Sequence, residues 1–106
     1  LSGIIIESNG VHIRTEKGSN ARAIFDGTVL QIQSVSGKNA VYIQHGNYIT
    51  IYNNMETVTV TKGDKVSVKQ SIGKIYTDKI SNKTTLKFQI WKNTTRLNPA
   101  DWIYKM

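Results

Sequence analysis

The chain has 106 residues, 39% hydrophobic and 20% charged, a mixture that suits one globular domain able to close its own core. It has no cysteine and only two histidines, which removes disulfide, thiolate-metal and cysteine-nucleophile chemistry, and no apolar run approaches the ~20 residues of a membrane-spanning helix. The net charge of +7 is carried mostly by lysine; Arg14, Arg22 and Arg96 are too few to read bases, so no nucleic-acid partner is expected and the lysines read as a solubilising, edge-protecting surface.

The apolar pattern has period two almost throughout, and no stretch of a dozen residues carries a helical repeat. Strands are expected over Gly3 to Glu7, Gly10 to Thr15, Thr28 to Val35, Ala40 to His45, Tyr48 to Tyr52, Thr57 to Val60 and Thr84 to Trp91. Turn signals separate them at Glu16-Lys17-Gly18-Ser19, Asp26-Gly27, Ser36-Gly37-Lys38-Asn39, Gly46-Asn47 and Lys62-Gly63-Asp64. Asp26 is read as part of such a turn, without an acid–base role. Many short strands predict an all-β fold: a twisted antiparallel sheet in a sandwich or barrel-like arrangement, with a second small sheet from the Gly63 to Gly73 region.

The sharpest local signal is the hairpin Val41 to Tyr52 around Gly46-Asn47, a two-residue loop that accepts positive φ at low cost. Its register pairs His45 with Tyr48, Ile43 with Thr50 and Val41 with Tyr52. Continued alternation carries Asn54 onto the face of Thr50 and Tyr52. In the last long strand, Leu86, Phe88 and Ile90 should face the core, while Thr85, Lys87, Gln89 and Trp91 look the other way. Asn98-Pro99-Ala100-Asp101-Trp102 reads as a helix cap, a first-turn proline and one helical turn that seats Trp102 on the sheet.

Asn9-Gly10-Val11-His12-Ile13, Ala21 to Val29, the hairpin through Tyr52, Val58 to Val66, Gln70-Ser71-Ile72-Gly73, Leu86 to Trp91 and Leu97-Asn98-Pro99 to Trp102 together resemble the LytM-type, lysostaphin-like metallopeptidase domain. The resemblance runs from about Gly10 to Ile103 in matching order. It implies a peptidoglycan-cutting fold in which a histidine, an aspartate four residues on and the second histidine of a His-x-His pair hold zinc, while two further histidines serve the catalytic water. Carried onto this chain, the first ligand position falls on Ser8, the aspartate on His12, the lone catalytic histidine on Asn54 and the His-x-His pair on Thr85 and Lys87. All five are replaced. A catalytic zinc takes about three ligands from His, Asp, Glu or Cys. A protonated lysine ~4 Å from a dication would cost roughly 8 kcal/mol at an effective dielectric near 20. No cofactor and no hydrolysis are therefore expected.

The resemblance is strongest to the murein-hydrolase-activator branch, whose metal-free members bind and activate peptidoglycan amidases during cell-wall remodelling or division. It implies a degenerate domain over residues 1–106, cut from a longer protein of the bacterial cell envelope and placed in the periplasm. The amidase is the expected partner. Its groove would be floored by Ser8, His12, Asn54, Thr85 and Lys87 and extended by Gln89 and Trp91. The alternative is a non-catalytic peptidoglycan-binding or scaffold module. Residue by residue, ordinary roles compete: His12 as a half-exposed strand histidine, Asn54 as a turn residue, Lys87 and Gln89 as solvated positions. Trp91 is the hardest of these to leave without a contact. A lipoyl- or biotinyl-carrier reading would need a lysine signature at a hairpin tip. Asp78-Lys79 is the one candidate, and its surroundings do not match.

Overall fold

The hairpin around Gly46-Asn47 sets the middle of the molecule. The computed structural model describes residues 4–7, 10–92 and 95–97. In it His45 pairs with Tyr48, Ile43 with Thr50 and Val41 with Tyr52, as the alternation predicts. Gly46 takes φ 62° at the loop, a conformation that costs a residue with Cβ but not glycine.

Ten strands form: β1 (Ile4–Glu7), β2 (Gly10–Thr15), β3 (Asn20–Arg22), β4 (Gly27–Val35), β5 (Lys38–His45), β6 (Tyr48–Val58), β7 (Lys65–Val66), β8 (Ser71–Ile75), β9 (Thr84–Lys92) and β10 (Thr95–Leu97). They run in the order β1-β2-β9-β6-β5-β4-β7, with β10 on β9 and with β8 pairing β6 and β3. Every pairing is antiparallel. The fold is thus the expected all-β antiparallel one. Among the described residues there is no helix, and so none long and apolar enough to cross a membrane. The expected helical turn at Asn98 to Trp102 lies outside the described residues.

Two expectations need correction. The Gly63 to Gly73 region does not make a sheet of its own: β7 joins β4 and β8 joins β6, within one hydrogen-bonded sheet. Likewise Tyr48 to Tyr52 and Thr57 to Val60 are not two strands, because β6 runs through the gap between them. The reason is one inserted residue. Against β5, the three steps from Tyr52 to Met55 match only the two steps from Val41 to Asn39, and Asn54 takes φ 72°. That is a β-bulge, which bends the strand and shifts its alternation by one. Before it β6 pairs with β9 through Asn53; after it the strand pairs with β8 from Met55 onward.

The core lies on the face of Val11, Val41, Ile43, Tyr52, Met55, Phe88 and Ile90, all buried. Leu86, Phe88 and Ile90 point inward while Thr85, Lys87, Gln89 and Trp91 point out, as predicted. The Tyr52 and Phe88 rings pack at 5.2 Å between centroids, tilted by 57°. Burying each large apolar side chain contributes about 1.5–3 kcal/mol, so this row fixes which face of β6 and β9 remains for solvent. At the β6–β8 crossing the chains approach so closely that a Cβ on Gly73 would run into the Thr57 carbonyl oxygen and come within 3.0 Å of Met55 Cε. Gly73 itself sits at φ 150°.

Beneath the hairpin one polar chain threads the core. His45 Nδ1 donates to the Asp26 carbonyl oxygen at 2.8 Å, and its Nε2 lies 2.8 Å from Thr50 Oγ1. Thr50 Oγ1 is 3.2 Å from the Tyr52 hydroxyl, which accepts the Ile24 N–H at 3.1 Å. Both ends have fixed direction, since a carbonyl only accepts and an N–H only donates. Thr50 Oγ1 is the donor to the Tyr52 hydroxyl. Burial pushes the His45 pKa below its ordinary value of 6.5, against smaller upward pulls from the Asp26 carbonyl and charge.

Candidate functional site

The solvent face of β2, β9 and β6 forms a groove. Its floor follows from register: His12 on β2 stands directly opposite Lys87 on β9, and Lys87 stands opposite Asn53 on β6. One turn of the ladder away, Arg14 faces Thr85 and donates from Nε to Thr85 Oγ1 at 3.2 Å. In the other direction Gln89 faces Ile51.

Asn54 reaches this groove because of the bulge. Strict alternation would keep it on the face of Thr50 and Tyr52, and the structure buries both of those residues. With φ 72° it leaves the core to Met55, which is fully buried, and its own side chain stays half-buried. Asparagine tolerates the left-handed region better than other residues with a Cβ. Its Nδ2 donates to the Thr85 carbonyl oxygen at 2.7 Å and its carbonyl oxygen accepts the Tyr76 N–H at 2.9 Å. Asn54 therefore ties β6, β9 and the chain after β8 together at the groove floor.

Of the five positions singled out in the sequence, the structure brings four together: His12, Asn54, Thr85 and Lys87 line one recess of about 310 Å³. Ser8 lies outside the described residues. Gln89 lines an adjoining recess of about 480 Å³, which shares His12, Asn54 and Lys87 with the first. Trp91 lines neither recess and acts on the groove through Gln89, donating from Nε1 to Gln89 Oε1 at 3.0 Å.

Sequence reasoning missed the walls. Gln33 and Val35 on β4 and Lys38, Asn39 and Ala40 on β5 close one side. Tyr76, Asp78, Ser81 and Lys83, from the loop between β8 and β9, close the other. The two-residue Ser36-Gly37 turn, with φ 54° and 76°, starts β5 at Lys38 and so sends that residue over the groove. Its Nζ sits 4.8 Å from the centre of the Tyr76 ring. The expected four-residue turn over 36–39 hid this, although Ser-Gly at the centre of a tight hairpin was the available signal.

The groove is cationic. Among the described lining residues Lys38, Lys83 and Lys87 stand with one carboxylate, Asp78. The N–H groups of Ser81 and Ile80 hold the Asp78 carboxyl below its usual range, and Lys38 adds a smaller electrostatic pull. Among the described residues no three His, Cys, Asp or Glu side chains come together as a metal-ligand set. At the four described positions only His12 offers an atom that zinc takes from protein, and the ammonium of Lys87 stands in the paired position. This donor set does not fit a catalytic zinc.

A family model described as Peptidase family M23 matches residues 7–99. An uncharacterized metalloprotease from Buchnera aphidicola subsp. Baizongia pistaciae is 29% identical over 94 residues, which cover 87% of this chain and 25% of that protein. The chain thus spans about a quarter of the curated relative it matches. Among solved structures, the antimicrobial peptidase lysostaphin from Staphylococcus simulans superposes with a TM-score of 0.79 at 22% identity, over 92% of this chain and 43% of that one. The prophage-encoded M23 protein EnpA from Enterococcus faecalis gives 0.74 at 24% identity, over 87% and 75%. A chain of the SpoIIQ–SpoIIIAH pore-forming complex gives 0.74 at 23% identity, over 92% and 69%. At these identities the structures speak for a shared fold.

Proposed function

The chain belongs to peptidase family M23, and from that premise we propose that it is a non-hydrolytic domain whose groove binds and activates a peptidoglycan amidase in the bacterial cell envelope. The observation that carries this reading is the pairing of His12 with Lys87 on the groove floor. A lysine takes the position where the family's metal site needs a ligand, while the walls around it form a polar cleft. Catalytic zinc is unsuited to such a set, and a protein segment is suited to it: amides at Asn53, Asn54 and Gln89 offer donors and acceptors, and Lys87 offers a charge-assisted donor. That a neighbour in fold is a chain of a two-protein complex supports the use of this scaffold as a docking surface. The periplasm as the place of action follows from the proposed partner.

The test is stimulation of a purified envelope amidase on isolated peptidoglycan, with wild type against Lys87→Glu. Wild type should stimulate and Lys87→Glu should fail; equal stimulation by both sinks the groove reading. Release of soluble muropeptides by the domain alone, abolished by a chelator, would sink the non-hydrolytic reading. The second reading, a peptidoglycan-binding scaffold, is favoured by the amide-rich floor, which also suits glycan. Co-sedimentation with purified glycan strands, without effect on any amidase, would select it.

A further inference from the structure

The loop between β8 and β9 is built as a rigid wall. Asp78 Oδ1 accepts the N–H groups of Ile80 and Ser81, each at 2.8 Å. The Asp78 carbonyl oxygen accepts the Asn82 N–H at 2.8 Å, and the Asp78 N–H donates to the Lys83 carbonyl oxygen at 2.9 Å. The hydroxyls of Thr77 and Thr84 meet at 2.6 Å across its base. Asn82, at φ 58°, turns the chain back. On the tip so formed, Ile80 is 99% exposed.

A single exposed aliphatic residue ordinarily needs no explanation. Three facts set Ile80 apart. Its backbone is pinned, so docking against it orders little further chain. Its loop supplies the groove wall through Asp78, Ser81 and Lys83. And the opposite wall carries a second exposed aliphatic, Val35, at 70%. The two recesses are lined by Lys38, Lys83 and Lys87, with Asp78 Oδ1 already engaged by two N–H groups. The floor itself is strand and amide, and among the described lining residues of the larger recess the one buried aliphatic is Ala40 in the wall. That suits a peptide backbone better than the continuous apolar face of an amphipathic helix.

Resting on the reading that the groove binds protein, we infer that its occupant is an extended acidic segment, with carboxylates over Lys38, Lys83 and Lys87 and aliphatic side chains against Val35 and Ile80 at the two ends. The loop carrying Ile80 is then the wall that selects the partner.

The probe is a fluorescein-labelled peptide with a central run of glutamates flanked by leucines, compared with versions carrying serine flanks or a lysine centre. Wild type should bind the leucine-flanked acidic peptide about tenfold more tightly than the serine-flanked one, and should not bind the lysine version. Ile80→Ser should reduce the preference for leucine, leaving the part that Val35 supplies, without changing the unfolding midpoint, because the side chain is exposed. Lys83→Glu should weaken both acidic peptides. Equal preference in wild type and Ile80→Ser overturns the inference, as does a peptide that binds as a helix, or binding of anionic phosphatidylglycerol vesicles through Ile80 in place of peptide. The amidase assay separates the two claims. If Lys87→Glu loses stimulation but no acidic peptide binds, the extended-segment inference falls and the groove reading stands. If peptides bind as described but Lys87→Glu stimulates normally, the groove reading falls, and the inference falls with the function it rests on.

Discussion

Replacing Thr50 by valine keeps the size and branching of a fully buried side chain and removes one oxygen from the chain His45–Thr50–Tyr52–Ile24. The Tyr52 hydroxyl keeps the N–H of Ile24 but loses its bond from Thr50, and His45 Nε2 loses its partner. Each stranded buried group costs about 1–3 kcal/mol. His45 is only half-buried and recovers part of its loss through water, so the expected total is about 2–4 kcal/mol. For a domain of this size that lowers the thermal midpoint by on the order of 10–20 °C. Urea unfolding followed by circular dichroism reads the free energy directly, and the slope of the transition should not change. A Thr50→Val variant within about 0.5 kcal/mol of wild type would refute the claim that this polar chain supports the core.

The same chain predicts a pH dependence. Above pH ~6.5 His45 is neutral in both folded and unfolded states and stability is full; as pH falls through that value the unfolded chain takes up the proton first, so stability drops until the folded histidine titrates below it. The urea midpoint should thus be lower at about pH 5.5 than at about pH 7.5, and His45→Asn should flatten the difference. Asn54→Gly should cost about 1 kcal/mol for the lost bond to Thr85, whereas Asn54→Val should cost about 2–3 kcal/mol because φ 72° adds steric strain. Equal losses in the two variants would mean that the bulge conformation is not what asparagine supplies. Gly73→Ala should destabilise by about 2–4 kcal/mol, because the Thr57 carbonyl in its way is held in the β6–β8 ladder; a neutral result would mean the two strands can move apart.

Period two carried the sequence reading far where strands are regular. The hairpin register and the inward row of Leu86, Phe88 and Ile90 follow from alternation alone, since one face of each strand is dry. Family resemblance, and not the pattern, brought His12, Asn54, Thr85 and Lys87 to attention as a group. Alternation failed at Asn54, because a bulge adds a residue without any change in hydrophobicity that would announce it. Met55, the residue after it, is buried for that reason. The wall from Tyr76 to Lys83 was illegible because its shape is set by the Asp78 carboxylate and by Asn82 at positive φ, and such bonds leave no periodic trace. Lys38 was hidden by a turn drawn two residues too long.

The floor of the groove is a seam between distant parts of the chain. Among the described residues β2 reaches the body of the sheet through β9, and the bond from Arg14 to Thr85 across that ladder joins positions 71 apart. Pairing segments so far apart carries a loop-closure cost that the local hairpins avoid. Neither half of the chain presents the His12–Lys87 pair by itself, and an emerging or clipped chain lacks it altogether. A partner that docks on this floor therefore receives two messages in one contact: which protein is present, and that its fold is complete.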